Sequence, residues 1–267
     1  MAEQSSQTIL QTESLVKHFN GLTAISDLSF SVGRGQVKSI IGPNGAGKTT
    51  LINLITGVLK PSQGQILFKG RSVGGLAPFE VSKAGVSRTF QTVELFGDMT
   101  ALENVMVGCH RLSRHELLWS AFRLPGVAKE ENAIRERSFE QLKRVGLADS
   151  AFREAGTLPL GDQKLLEIAR ALASQPELLL LDEPAAGLNE VETQRAAELI
   201  QEIRQSGVTI ILVEHDMKVV MSISDEVLVI NYGARIAEGP PEAVKSDPKV
   251  IEAYLGRSNS VGHGLTR

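Results

Sequence analysis

The stretch Gly42-Pro43-Asn44-Gly45-Ala46-Gly47-Lys48-Thr49-Thr50 constrains this chain more than any other. It has the spacing G-x-x-x-x-G-K-T, follows the strand-like run Val37 to Ile41, and precedes the helical pattern Leu51 to Ile55. Its three glycines permit backbone conformations closed to other residues, so successive N–H groups can turn inward around phosphate oxygens. The helix expected to begin near Lys48 aims its positive end at the same place. Lys48 is suited to reach the outer phosphates and the Thr49 hydroxyl to ligate Mg²⁺, whereas Thr50 packs or caps. The bare pattern arises by accident in about one chain of this size in a hundred. Here it also sits between a strand and a helix, so a nucleotide site is the expectation.

The chain has 267 residues, enough for one sizeable core with smaller subdomains, and no second copy of the loop. A net charge of −3 without a long basic run argues against a protein that gains its affinity from nucleic-acid phosphates, so no nucleic-acid partner is expected. A single cysteine, Cys109, excludes an internal disulfide and fits a reducing compartment. The start MAEQSSQT lacks signal-peptide form, and no apolar run approaches the length of a membrane span.

In chain order, Ile9 to Val16 and Leu28 to Val32 read as short strands around the turn-rich Asn20-Gly21. Phe19 lies at a strand end, where it is either a plain core aromatic or a face for adenine to stack on, and its mechanics alone favour the core. The helix after the loop should stop near Gly57, and Gln65 to Phe68 is a further strand closed by Gly70. Between about Val93 and Thr157 strand patterns give way to amphipathic helices, including Ala101 to His110 and Glu130 to Val145. This predicts a helical insert, with Arg111 to Lys129 as a connecting excursion. A helical stripe from Leu165 to Ala173 starts after Gly161, and Leu178 to Leu181 reads as a parallel strand buried on both faces. That strand ends in Asp182-Glu183. The helix Glu190 to Gln205 and the strand Val208 to Val213 repeat the pattern and end in Glu214-His215-Asp216. A hairpin over Val227 to Glu238, a closing helical segment from Pro240 to Leu255, and a frayed tail at 257–267 complete the chain.

In an open α/β sheet, ligands gather at the carboxyl ends of the strands, so the loop, Asp182-Glu183 and His215 should converge. Asp182 is suited to hold Mg²⁺ through water, and Glu183 to take a proton from the water that attacks the γ-phosphate. Adjacent acids on extended backbone point to opposite sides, which separates the two roles. His215 could hydrogen-bond the γ-phosphate, and Gln91, at the border of the insert, could reach Mg²⁺ or water. His110 and His115, five apart, do not share a helix face, so metal ligation with Cys109 is not expected. Kinases, GTPases and DNA-repair ATPases share this much.

Together these residues resemble the ATP-binding cassette (ABC) ATPases over nearly all of residues 9–256. Gly42 to Thr49 matches Walker A, Gln91 in Arg88-Thr-Phe-Gln91 the Q-loop, Leu178 to Glu183 Walker B, Ala186-Gly-Leu-Asn189 the D-loop, and His215 the switch histidine. Phe19 takes the place of the adenine-stacking aromatic. Leu158-Pro159-Leu160-Gly161-Asp162-Gln163 stands where the signature L-S-G-G-Q belongs. Arg88-Thr-Phe-Gln91, Leu102-Glu-Asn-Val105 and the ending Glu238 to Gly256 look like the branched-chain amino acid importer ATPases.

The resemblance implies a single ABC ATPase domain over 1–256: a P-loop NTPase (RecA-like) α/β core with an antiparallel β subdomain and a helical subdomain at about 93–164. It also implies ATP and Mg²⁺ as cofactors and a homodimer or heterodimer with a second ABC ATPase, each nucleotide being covered by the other subunit's signature helix. Further implications are membrane permease subunits that dock on the insert, indirectly a solute-binding protein, and a peripheral place on the cytoplasmic face of the inner membrane. A lipid or lipopolysaccharide exporter ATPase and a weakly catalytic regulatory module are the alternatives. The signature departs from the family: Pro159 replaces the serine, and Asp162 falls at the final glutamine. An acid there suits the helix dipole but would repel γ-phosphate if turned inward, so this half of the site is expected to be weakened.

Overall fold

The computed structural model describes residues 8–109 and 125–255. The expectations for the N-terminal residues before Thr8, for His110 and His115, for most of Arg111 to Lys129 and for the tail at 257–267 lie outside the described residues.

The chain opens with β1 (Thr8–Phe19) and β2 (Leu22–Gly33), followed by β3 (Val37–Ile41), α1 (Lys48–Ile55), β4 (Gln63–Phe68) and β5 (Arg71–Ser72). Next come α2 (Pro78–Ala84), β6 (Val86–Arg88), α3 (Ala101–Gly108) and α4 (Pro125–Arg144). After two short 3₁₀ turns follow α5 (Leu160–Ala173), β7 (Leu178–Asp182), α6 (Glu190–Gln205), β8 (Thr209–Val213) and α7 (Met217–Ile223). The chain closes with β9 (Glu226–Asn231), β10 (Ala234–Gly239), α8 (Pro241–Lys245) and α9 (Pro248–Leu255).

These elements divide into two compact units, one from Met1–Ala84 with Ile200–Arg267 and the other from Gly85–Leu199. In the first, β2-β1-β4-β5 form an antiparallel sheet. β3 lies parallel between β8 and β9, and β10 pairs antiparallel with β9. Three hairpins of this unit turn on two-residue loops in which both residues have positive φ, namely Asn20-Gly21, Lys69-Gly70 and Tyr232-Gly233. Such loops carry the twist that antiparallel strands need. β1 and β2 run longer than the short strands read from sequence. Ser14 and Asp27 sit at positive φ and the β1–β2 register shifts after Thr12, so bulges break the apolar alternation without ending the pairing.

The core beneath the loop of residues 42–50 is a cluster of Ile41, Val220, Val227, Val229, Val244 and Val250. A charged residue of β3 departs from that apolar pattern. Lys38, in the middle of β3, is 1 % exposed, and its Nζ bonds the Ser31 carbonyl at 2.6 Å, Glu226 Oε2 at 2.9 Å, and Glu238. A lysine is tolerated there because two carboxylates and a carbonyl replace its water.

In the second unit β6 and β7 pair in parallel, and α3, α4 and α5 pack on one another. α3 starts at a capping box, with Thr100 Oγ1 accepting the Glu103 N–H and the Glu103 carboxylate accepting the Thr100 N–H. The hydrogen bonds of Thr100 hold the Glu103 carboxyl below its ordinary range. The four leucines of β7 are fully buried, each stabilising the fold by about 1.5–3 kcal/mol. α2, β6 and α7 were not read from sequence, being only 7, 3 and 7 residues long, too short for a periodic pattern. The segment from Pro240 to Leu255 is two helices, separated at Ser246-Asp247, because the ring of Pro248 cannot continue α8.

Candidate functional site

In the first unit β3 delivers the chain into the glycine-rich loop, and α1 begins at Lys48 directly behind it. The loop closes on itself: the Ala46 N–H bonds the Pro43 carbonyl at 3.1 Å, and Leu51 N–H the Gly47 carbonyl at 2.9 Å. Lys48, 8 % exposed, donates from Nζ to the carbonyls of Gly42 at 2.7 Å and Pro43 at 3.1 Å, so its ammonium is held on the loop. Asn44, Gly45 and Thr49 are exposed, and Thr50 is half-buried. Gly47 has φ 105, and a Cβ there would meet the Ala24 carbonyl oxygen at 2.7 Å. A Cβ on Gly42 would meet the Ile230 carbonyl oxygen at 2.1 Å. Only glycine fits either place.

The loop is also braced from outside. The Gly233 N–H bonds the Ala46 carbonyl and the Ser26 N–H bonds the Gly233 carbonyl, both at 2.9 Å. The β9–β10 hairpin thus ties the loop to β2. Sequence reading found this hairpin but gave it no part in the site, because its contacts come from nearly 190 positions away along the chain. α9 carries Tyr254, whose phenol is raised above its ordinary value by burial, an effect that the Gly42 backbone opposes.

His215 follows β8 and is exposed, its N–H bonding the buried Glu214 carboxylate at 2.7 Å. Met217 and Val220, just beyond it, pack in the cluster that contains Ile41, the residue before the loop. Phe19 is no core aromatic. It is 39 % exposed at the end of β1, with Lys17 Nζ 5.0 Å from its ring centre.

In the second unit Asp182 ends β7 and Glu183 follows at φ 53. Glu183 is therefore not on extended backbone, and strand alternation does not separate the two acids: a left-handed residue follows Asp182, and the two carboxylates have different partners. Both are buried, at 2 % and 8 % exposure. Asp182 Oδ2 lies 3.1 Å from an Arg88 guanidinium nitrogen, and Glu183 Oε2 accepts from Gln91 Nε2 at 3.0 Å. β6 sets this up by pairing with β7, which places Arg88 beside Leu180 and brings Gln91 back toward the end of β7. Lys164, from α5, donates to the Glu183 carbonyl at 2.8 Å.

The signature segment also needs a correction. α5 starts at Leu160, so Gly161 lies inside its first turn rather than before it. Pro159 is the N-cap and supplies no side-chain acceptor. Leu158 is buried, and its carbonyl accepts from Gln163 Nε2 at 2.8 Å. A Cβ on Gly161 would meet Glu192 Oε1 at 2.8 Å, so α6 packs directly on this turn. Asp162 Oδ1 lies 3.3 Å from an Arg195 guanidinium nitrogen. That cation offsets the negative charge for which repulsion of phosphate was expected. Cys109 is buried, its sulfur 3.5 Å from Ser138 Oγ and 3.6 Å from the Ala173 carbonyl.

The donors fit a nucleotide with a hard cation. The loop of the first unit offers a lysine and the Thr49 hydroxyl, and the second unit by itself offers the Gln91 amide and the Asp182 carboxylate, oxygen donors of the kind that Mg²⁺ prefers. A strand, a phosphate loop and a helix in one unit, with a β-strand ending in paired acids in the other, define a phosphate-loop nucleotide-binding ATPase.

The family described as ABC transporter matches residues 25–186, and the family described as Branched-chain amino acid ATP-binding cassette transporter matches residues 234–258. The High-affinity branched-chain amino acid transport ATP-binding protein BraF of Pseudomonas aeruginosa is 45 % identical over 254 residues, covering 95 % of this chain and 100 % of that protein. The corresponding LivG protein of Escherichia coli K12 is 43 % identical over the same shares. Among solved structures, a nucleotide-free ATP-binding cassette from an ABC transporter superposes with a TM-score of 0.82 at 38 % identity, over 93 % of this chain and 99 % of that one. An ADP conformation of an ATP-binding cassette gives the same figures. The chain belongs to the ABC transporter ATP-binding cassettes, and within them to the branched-chain amino acid group. It is an ATPase of the P-loop ABC fold.

Proposed function

We propose that this chain energises an importer of branched-chain amino acids or similar small polar solutes. The likeness to branched-chain transport ATP-binding proteins over 95 % of the chain supports the solute class. For the chemistry, the observation that carries the reading is the Gln91–Glu183 contact at 3.0 Å, which sets a buried carboxylate beside an exposed amide that can sense nucleotide.

In this proposal the amides from Gly42 to Thr49 and Lys48 hold the phosphates, and Phe19 stacks on adenine. Thr49, Asp182 and Gln91 would hold Mg²⁺, which neutralises charge on the phosphates when bound. Glu183 takes the proton of the attacking water, and His215 hydrogen-bonds the γ-phosphate. Leu158, Pro159, Gly161 and Asp162 would cover the nucleotide of a second cassette, identical or related. A solved relative at 25 % identity is described as a dimeric bacterial ABC transporter cassette. Permease subunits at the cytoplasmic face of the inner membrane would be the partners. No described helix is long and apolar enough to cross a membrane.

Glu183→Gln tests the assignment: the variant should bind ATP and lose turnover. Phosphate release by Glu183→Gln at the unaltered rate would overturn it.

A further inference from the structure

α5 does more than begin at the signature. Three charged side chains on successive turns, Lys164, Glu167 and Arg170, each bond the backbone of a segment that carries a site residue. Lys164 Nζ donates to the Glu183 carbonyl at 2.8 Å. Glu167 Oε1 accepts the Glu94 N–H at 2.9 Å, and an Arg170 nitrogen donates to the Glu94 carbonyl at 2.6 Å. The second Arg170 nitrogen stands 3.5 Å from Glu167 Oε1. Both backbone polar groups of Glu94 are therefore held by one helix. Glu94 is three residues beyond Gln91, whose amide bonds Glu183. α5 thus grips both partners of the Gln91–Glu183 contact, one through its own carbonyl and the other through the chain that follows it.

The grip is made of buried charge. Glu167 is 3 % exposed and Arg170 is largely covered. Burial raises the Glu167 carboxyl and lowers the Arg170 guanidinium from their ordinary values, opposed in each case by the other's charge. Apolar residues of equal volume often stabilise a fold as well as a buried ion pair does. What they cannot do is fix the direction of a backbone segment through its N–H and its carbonyl.

We infer that Glu167, with Arg170, is a positioning residue for hydrolysis that holds the Gln91 segment so that the Gln91 amide stays on Glu183. The inference rests on the role proposed for Glu183. Small displacements of groups around a reacting centre lower rates by roughly 10- to 100-fold. In the full chain with Mg²⁺ and ATP, Glu167→Ala should lower kcat within that range. KM and the affinity for a fluorescent ATP analogue should stay within about twofold, because the phosphate loop is not touched. Glu167→Gln keeps an oxygen for the Glu94 N–H and should recover most of the rate.

In a Gln91→Ala background Glu167→Ala should add no further loss. An equal fold-loss in both backgrounds, a rise in KM in place of a fall in kcat, or a lower Tm with unchanged kcat would overturn the inference. If Glu167→Ala fails to fold, Arg170→Lys carries the same comparison through the Glu94 carbonyl, and additivity with Gln91→Ala is again the refuting result. Full turnover by Glu183→Gln would instead overturn the underlying role of Glu183, which the additivity comparison distinguishes from failure of the clamp alone.

Discussion

Gly233→Ala tests whether the β9–β10 hairpin holds the phosphate loop. Gly233 has φ 77, and a Cβ there would lie 2.4 Å from the Ala24 carbonyl oxygen and 2.8 Å from Ile25 Cα. An alanine in left-handed backbone costs about 1 kcal/mol by itself. Gly207, at φ 92 with nothing within 4 Å of its added Cβ, pays that cost alone, so Gly207→Ala is the control. At Gly233 the obstacle is backbone, which cannot rotate away. β2 and the hairpin must separate, and the Ser26 N–H to Gly233 carbonyl and Gly233 N–H to Ala46 carbonyl bonds are stretched. At about 1 kcal/mol for each bond, Gly233→Ala should lie roughly 3 kcal/mol below the parent and about 2 kcal/mol below Gly207→Ala. The Ala46 bond belongs to the loop, so about 1 kcal/mol should also be lost from nucleotide affinity, roughly a fivefold weaker Kd. Urea unfolding of both variants and titration with a fluorescent ATP analogue measure the two effects. Equal stability of the two variants, or a destabilised Gly233→Ala that binds nucleotide as tightly as the parent, would refute the bracing role.

Lys38→Met keeps the volume of the buried side chain and removes the cation from Glu226 and Glu238. It should lower stability at pH 7 by about 2 kcal/mol, less than a fully buried pair because the Glu226 side chain is 43 % exposed. The Lys38 hydrogen bond is the main cause that holds the Glu226 carboxyl below its ordinary 4.5. The stability it contributes is fully present above that unfolded value and is lost as pH falls through the lowered one. Urea unfolding at pH 7 and pH 3 should therefore show a smaller gap between Lys38→Met and the parent at the lower pH, and a constant gap would contradict the account. Pro159→Ser supplies the missing N-cap oxygen, worth about 1 kcal/mol to the start of α5, and should raise the steady-state ATPase rate severalfold. An unchanged rate would mean that this departure does not weaken the signature half.

Much of the site could be read from sequence because its parts are local. The loop from Gly42 to Thr49, the strand before it and the helix after it lie within one short segment whose spacing is fixed by backbone geometry. The acids after Leu178 to Leu181 stood out because a continuous apolar run ended in charge. Where reading failed, the governing contact was distant. The φ 53 of Glu183 accompanies a bond to its carbonyl from Lys164, 19 residues earlier. The start of α5 at Leu160 placed Gly161 against Glu192, a contact for which the pattern of α5 carries no signal.

Charge showed the same limit. The Asp162 charge is offset by Arg195 on another helix, and Lys38 within a strand-like run is paired with two carboxylates, partners that no neighbour in the chain signals. The sequence by itself determined the phosphate loop, the paired acids, the longer strands and helices, and the family. Only the tertiary structure decided that the β9–β10 hairpin braces the loop, that Gln91 rests on Glu183, and that α5 grips the backbone on both sides of that contact. Periodicity and spacing record what a residue does within its own turn or strand, whereas hydrogen bonds between distant segments depend on a packing that no local pattern encodes.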